Sequence, residues 1–154
     1  MVTAVVELTH RFVGPMTERG YGRIVNVASL AGLVPATAGH TLYAPSKTFL
    51  IKFSQSLALE VRERGVYVTA LCPGFTYSEF HDVSGTRDVV KQLPSWMWMD
   101  AETVARLGFD AVMKGRPVCV TGRVNRSIAF LTRTLPEGVL SWVTQRQSRK
   151  YRRL

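Results

Sequence analysis

Three short runs of β-branched and aliphatic residues divide the chain: Arg23-Ile24-Val25-Asn26-Val27-Ala28, Val66-Tyr67-Val68-Thr69-Ala70-Leu71-Cys72 and Val118-Cys119-Val120-Thr121. Between them lie long segments with helical periodicity. Strands joined through helices cannot pair as hairpins, so they enter a sheet in parallel, and right-handed crossovers are expected. The chain therefore reads as α/β, a parallel sheet with helices on both faces, its first strand buried on both sides. A helix is expected over 2–17, where Val5, Val6, Leu8, Phe12, Val13 and Met16 recur, before Gly20-Tyr21-Gly22 stops it. A second is expected over 41–64, with Phe49, Leu50, Phe53, Leu57, Leu59 and Val61 on its apolar positions and Gly65 as its stop. A third follows Asp100, an N-cap with Glu102 in the first turn, and runs to Met113. Residues 75–99 keep no period and read as an irregular lid with one short helix.

Charge separates a body from a tail. The 154 residues carry a net charge of +9, yet residues 123–154 hold eight Lys/Arg against the single acid Glu137. The division is a nearly neutral body, 1–122, and a basic helical tail, 123–154; charge concentrated in a tail weakens a nucleic-acid reading of the whole protein, and no nucleic-acid partner is expected. The uncharged run from Ile24 to Ala44 is broken by Asn26, Gly32, Pro35 and Gly39, so it does not span a membrane. Glu7, His10 and Arg11 interrupt the first residues where a secretory signal needs an apolar stretch. Cys72 and Cys119 sit inside strand runs and read as small buried apolar groups in a reducing compartment, which places the chain in the cytoplasm and provides no metal site.

The strongest chemical pattern is Tyr43-Ala44-Pro45-Ser46-Lys47. A spacing of four puts phenol and ammonium on one helical face. A phenol is a weak acid or base near neutrality, and an adjacent cation favours its ionised form, so such a pair suits proton transfer. Taken alone, the pattern is weak: it occurs often by chance and is more commonly the edge of an amphipathic helix. Pro45 is tolerated only in a first turn, which places Tyr43 at the mouth of the helix. Ser29 follows one strand and Pro73-Gly74 follows the next. These are the carboxyl ends of parallel strands, where open α/β sheets bind their ligands.

The set Arg23–Ser29, Tyr43-Ala44-Pro45-Ser46-Lys47 and Cys72-Pro73-Gly74 with Ser78 resembles the second half of a short-chain dehydrogenase/reductase, over about residues 1–122. That resemblance implies the second half of a Rossmann-type doubly wound sheet, NAD or NADP as cofactor, and hydride transfer between an alcohol and a carbonyl. It implies that Tyr43 is the general acid/base, that Lys47 holds the nicotinamide ribose and favours the phenolate, and that Ser29 orients the substrate oxygen. By the same resemblance Gly74 lets the backbone approach the nicotinamide, and Pro73, Phe75, Thr76 and Ser78 border its carboxamide. Helices 2–17 and 41–64 would form a homo-oligomer contact, and Phe80, Trp96, Met97, Trp98 and Met99 of the lid fit either an apolar substrate or ordinary core packing.

Two features depart from the family. None of the twelve glycines sits in a strand–turn–helix context that could cradle a phosphate, and no asparagine opens helix 2–17. The 154 residues are thus expected to lack the dinucleotide-binding half and to bind no NAD(P)H alone, with an unpaired edge along strand 24–28. The rival reading is a non-enzymatic module for dimerisation or membrane-surface interaction. For the tail the leading destinations are a solvated helix packing its apolar side on the body or an anionic membrane surface, making the protein peripheral to a membrane; nucleic acid comes third, because no recognised module is present and the aromatics are not interleaved with the charges. His10, His40 and His81 are scattered and receive no role.

Overall fold

A computed structural model describes residues 1–36, 38, 41–79, 94–136, 138–140, 142, 144 and 146. Helix α1 (Thr3–Glu18) leads to strand β1 (Gly22–Val27), helix α2 (Tyr43–Val61) to β2 (Val66–Cys72). Strands β3 (Phe75–Tyr77) and β4 (Trp98–Asp100) follow, then α3 (Ala101–Met113), β5 (Val118–Val120) and α4 (Arg123–Thr134). The main sheet has the order β1-β2-β5, and both pairings are parallel, Gly22 opposite Val66 and Ala70 opposite Val118. Expected element ends shift by one to three residues. The tight turn Arg62–Arg64 intervenes after α2, and Gly65 takes φ +74 to end it.

Alternation along β2 sorts the layers. Ala70 and Cys72 pack with Leu50 and Ile51 of α2, while Val66 and Val68 meet Val13 and Met16 of α1 and Leu57 of α2. Leu71 points the other way, against Gly108 of α3, where an added Cβ would lie 2.8 Å from its side chain. So α1 and α2 cover one face and α3 the other. Two crossovers stepping in the same direction with their helices on opposite faces have opposite hands, so right-handedness holds for at most one of them. The long connection from Cys72 to α3, which carries the β3–β4 pair, is what lets the chain reach the second face.

β1 meets the expectation of an unpaired edge and departs from that of burial on both faces. It pairs with β2 on one side and forms an edge of the sheet. Val25 is 36% and Val27 55% exposed. α1 and α2 bury the face that carries Ile24 and Asn26, while α3 approaches β1 as well as β2 and still leaves Val25 and Val27 exposed on the other face. The lid expectation is met in part. Phe75–Tyr77 and Trp98–Asp100 form a two-stranded parallel sheet, with Trp98 stacked 4.8 Å from Tyr77 and 5.5 Å from Phe75. Strands of three residues are too short to show a period. The short helical element is the turn Ser95–Met97, and Phe80, like His40 and His81, lies outside the described residues.

A buried polar chain ties both helices to β1. Thr9 Oγ1 donates to Asn26 Oδ1 (3.4 Å), Asn26 Nδ2 donates to Ser54 Oγ (3.0 Å), and Ser54 Oγ donates to the Leu50 carbonyl (2.8 Å). Replacing Ser54 by alanine strands the Asn26 amide in the core and should cost about 1–3 kcal/mol. The double variant Asn26→Ala/Ser54→Ala should then cost less than the sum of the two single changes. Urea unfolding of the four proteins measures both, and strict additivity would contradict the coupling.

Candidate active site at the carboxyl rim of the sheet

The candidate residues come from three elements that meet where β1 and β2 end. Ser29 follows β1 in extended conformation, and its Oγ accepts the Ala31 N–H (3.1 Å), capping the turn Leu30–Gly32. A hydroxyl that accepts one bond still has its own hydrogen to donate. The turn is pinned on two sides. Leu30 N–H donates to the Pro73 carbonyl (2.8 Å), and Thr48 Oγ1 donates to the Gly32 carbonyl (3.1 Å). Gly32 is required by this contact, since a Cβ there would lie 2.7 Å from the backbone of Lys47. The loop carrying Ser29 is thus clamped against the first turns of α2.

Tyr43 is the first residue of α2 and half-buried, and its carbonyl accepts the Ser46 hydroxyl (2.8 Å). One turn on, the Lys47 ammonium lies 5.7 Å from the centre of the Tyr43 ring and donates to the Val27 carbonyl (3.0 Å), two residues before Ser29. Burial holds the Lys47 ammonium below its ordinary range, and the nearby Cys72 partly offsets this. Cys72 itself is pushed up to about 12, by burial first and by Cys119 second, with the Ser29 N–H and Lys47 acting in the opposite sense. At neutral pH it is a protonated, unreactive thiol that packs behind Lys47 and Ser29. Cys119 is half-buried rather than buried, its Sγ donating to the Leu107 carbonyl (3.5 Å), and both thiols are free.

The structure therefore brings Ser29, Tyr43, Lys47 and Pro73 to one rim. Gly74 lies beside them, but the direction its Cβ would take is filled by Asn125, whose Cγ would be 2.8 Å away. Asn125 is buried at the start of α4 and donates from Nδ2 to the Thr121 carbonyl (2.8 Å). Packing on Asn125 is thus one reason for a glycine at this position. Phe75 and Thr76 lead away along β3, with Thr76 Oγ1 donating to the Gly74 carbonyl (3.3 Å), and Ser78 lies exposed just beyond. Sequence reasoning missed Asn125, because its partner is distant in the chain. It missed the Val27 carbonyl because main-chain atoms leave no signature in residue type. Gly32 was detectable as a turn residue, although its contact with α2 was not.

A half-buried ammonium beside a phenol, at a rim reached by a serine hydroxyl, can hold an anionic or hydroxyl oxygen and move a proton to it. The Lys47 ammonium gives one of its three hydrogens to the Val27 carbonyl and keeps donors for a hydroxyl-bearing ligand such as a ribose. The described residues contain no group of His, Cys, Asp or Glu able to hold a metal ion.

Comparison with known proteins points to one family. The sequence profile described as short chain dehydrogenase matches residues 1–88. The chain is 42% identical over 81 residues to nodulation protein G of Rhizobium sp. (strain N33), covering 53% of this chain and 33% of that protein. It is 32% identical over 105 residues to D-beta-hydroxybutyrate dehydrogenase of Rhizobium meliloti, covering 68% and 37% respectively. With the 3-oxoacyl-(acyl-carrier-protein) reductase of Rickettsia prowazekii the identity is 33% over 101 residues, covering 64% and 42%. The chain thus spans well under half the length of these curated relatives. A solved short-chain dehydrogenase from Sphingobium yanoikuyae in complex with NADPH superposes with a TM-score of 0.69 at 23% identity, covering 88% of this chain and 54% of that one.

Proposed function

Because this chain belongs to the short-chain dehydrogenase/reductase family, we propose that it supplies the catalytic half of an NAD(P)-dependent oxidoreductase that interconverts an alcohol and a carbonyl. The observation that carries this reading is the Lys47 ammonium, held by the Val27 carbonyl at the strand end that leads to Ser29 and facing the Tyr43 ring. In this reading Ser29 donates its hydroxyl hydrogen to the substrate oxygen and fixes its position. Tyr43 gives that oxygen a proton during reduction and takes it back during oxidation. Lys47 stabilises the ionised phenol and holds the ribose, while Pro73, Gly74, Phe75, Thr76 and Ser78 border the carboxamide. The nicotinamide, when bound, supplies or accepts the hydride. Phe75, Tyr77 and Trp98 form an aromatic bank beside this segment, which suits an apolar substrate.

The relatives' greater length is consistent with the cofactor's phosphates and adenosine being held by sequence outside these residues. In a homo-oligomer the contact would run through α1 and α2, where Phe12, Phe49 and Leu59 are exposed. No helix of the described residues is long and apolar enough to cross a membrane.

The test is a fusion of residues 1–154 behind the dinucleotide-binding half of the Rickettsia reductase, assayed by loss of NADPH absorbance with a ketone. Turnover is expected, whereas the 154 residues alone should bind no NADPH. The rate should fall at alkaline pH, because the working form of Lys47 is the cation and burial moves its deprotonation below 10.5. Lys47→Arg should shift that limb upward. A fusion that folds and binds NADPH without turning over would sink the reading, and an unmoved alkaline limb would remove Lys47 from it.

A further inference from the structure

Helix α4 leaves its aromatic side chain outside. Its body-facing side carries Asn125, Ile128, Ala129 and Thr132; Asn125 and Ala129 are buried, Ile128 is half-buried, and Thr132 Oγ1 donates to the Leu33 carbonyl (3.4 Å). A solvated helix docking all of its apolar side would bury Phe130 as well. Here Val124, Phe130 and Leu131 face outward, with Phe130 67% exposed. Helical spacing places Arg126 and Arg133 one turn to either side of Phe130. The arrangement recurs further on, where the Arg146 guanidinium lies 5.5 Å over the ring of Trp142, itself 61% exposed, and Leu135 and Val139 are exposed between. Across residues 123–154 only Glu137 opposes eight basic residues.

We propose that this outward face of α4, together with Trp142 and Arg146 beyond it, docks on an anionic lipid bilayer. Exposed aromatic and aliphatic side chains flanked by arginines match the interfacial region of a membrane, where rings sit among the acyl chains and guanidinium groups among the phosphates. The charge supplies the sign of the partner, and the apolar residues distinguish a bilayer from a merely acidic surface. The helix remains attached to the body through Asn125 and Thr132, so docking presents the rim at Gly74 close to the membrane. This inference does not depend on the hydride-transfer reading.

The protein is floated with phosphatidylcholine vesicles that contain or lack phosphatidylglycerol. Binding is expected only with the anionic lipid, accompanied by a blue shift in tryptophan emission that Trp142→Phe removes. Arg126→Glu with Arg133→Glu should lower partitioning by about tenfold or more. Phe130→Ser with Trp142→Ser should lower it by about tenfold while far-UV circular dichroism stays unchanged, because both side chains are exposed. Three outcomes would overturn the proposal: equal flotation with neutral vesicles, an unaffected Phe130→Ser/Trp142→Ser variant, or tRNA binding without vesicle binding.

Discussion

Replacing Tyr43 with phenylalanine should lower turnover by about 10²–10⁴-fold, the range over which a positioned acid/base acts. The substitution removes one oxygen and keeps the ring. The Tyr43 carbonyl keeps its bond from Ser46, and the ring still faces the Lys47 ammonium. A change confined to the phenol hydroxyl should therefore leave NADPH affinity and the far-UV spectrum intact while kcat collapses. The measurement is kcat and the NADPH dissociation constant in the fused protein. A variant with turnover near that of the parent would show that the proton comes from another group.

The largest stability effect is expected at Gly65. Its φ of +74 lies in the left-handed region, and an added Cβ would run into the carbonyl oxygen of Gly20. Gly20 itself has φ +70, so two left-handed turns lie back to back where β1 and β2 begin. Arg23 fastens the same corner, donating to the carbonyls of Gly22 (2.7 Å) and Gly65 (3.0 Å) with its guanidinium between the rings of Tyr21 and Tyr67. Gly65→Ala therefore incurs about 1–2 kcal/mol for the left-handed backbone and about 1–3 kcal/mol more for displacing the Gly20 turn. The sum is a large share of the 5–15 kcal/mol typical of a folded domain. Gly115→Ala is the control, since Gly115 has φ +63 but its nearest neighbour would stand 3.5 Å away. Urea unfolding should show Gly65→Ala as clearly the more damaging change, and equal losses would mean that the Gly20 contact carries no strain.

Local periodicity and capping made most elements legible. The run 66–72 is a strand between a glycine stop and Pro73, as its β-branched residues require. Asp100 caps α3 as its residue type suggests, accepting the Thr103 N–H at 2.7 Å, and that bond lowers its carboxyl below the ordinary range. Pro45 located the mouth of α2, and with it the place of Tyr43 and Lys47. The elements that were misread depend on partners far away in the chain. A three-residue strand such as β3 exists because Trp98 comes to lie beside it, and the exposure of Val25 and Val27 follows from how far the helices cover that face of β1. The buried bonds of Asn26 to Thr9 and Ser54 join three elements and have no local signal.

What the sequence by itself determined is the order of elements, their stops and the face shared by Tyr43 and Lys47, because each follows from torsional preferences and side-chain spacing within a few residues. Only the tertiary structure decided that α3 crosses to the opposite face, that Asn125 fills the space over Gly74, and that α4 turns Phe130 outward. Those outcomes depend on which surfaces compete for the same layer of the sheet, and that competition is settled only when residues distant in the chain are brought into contact.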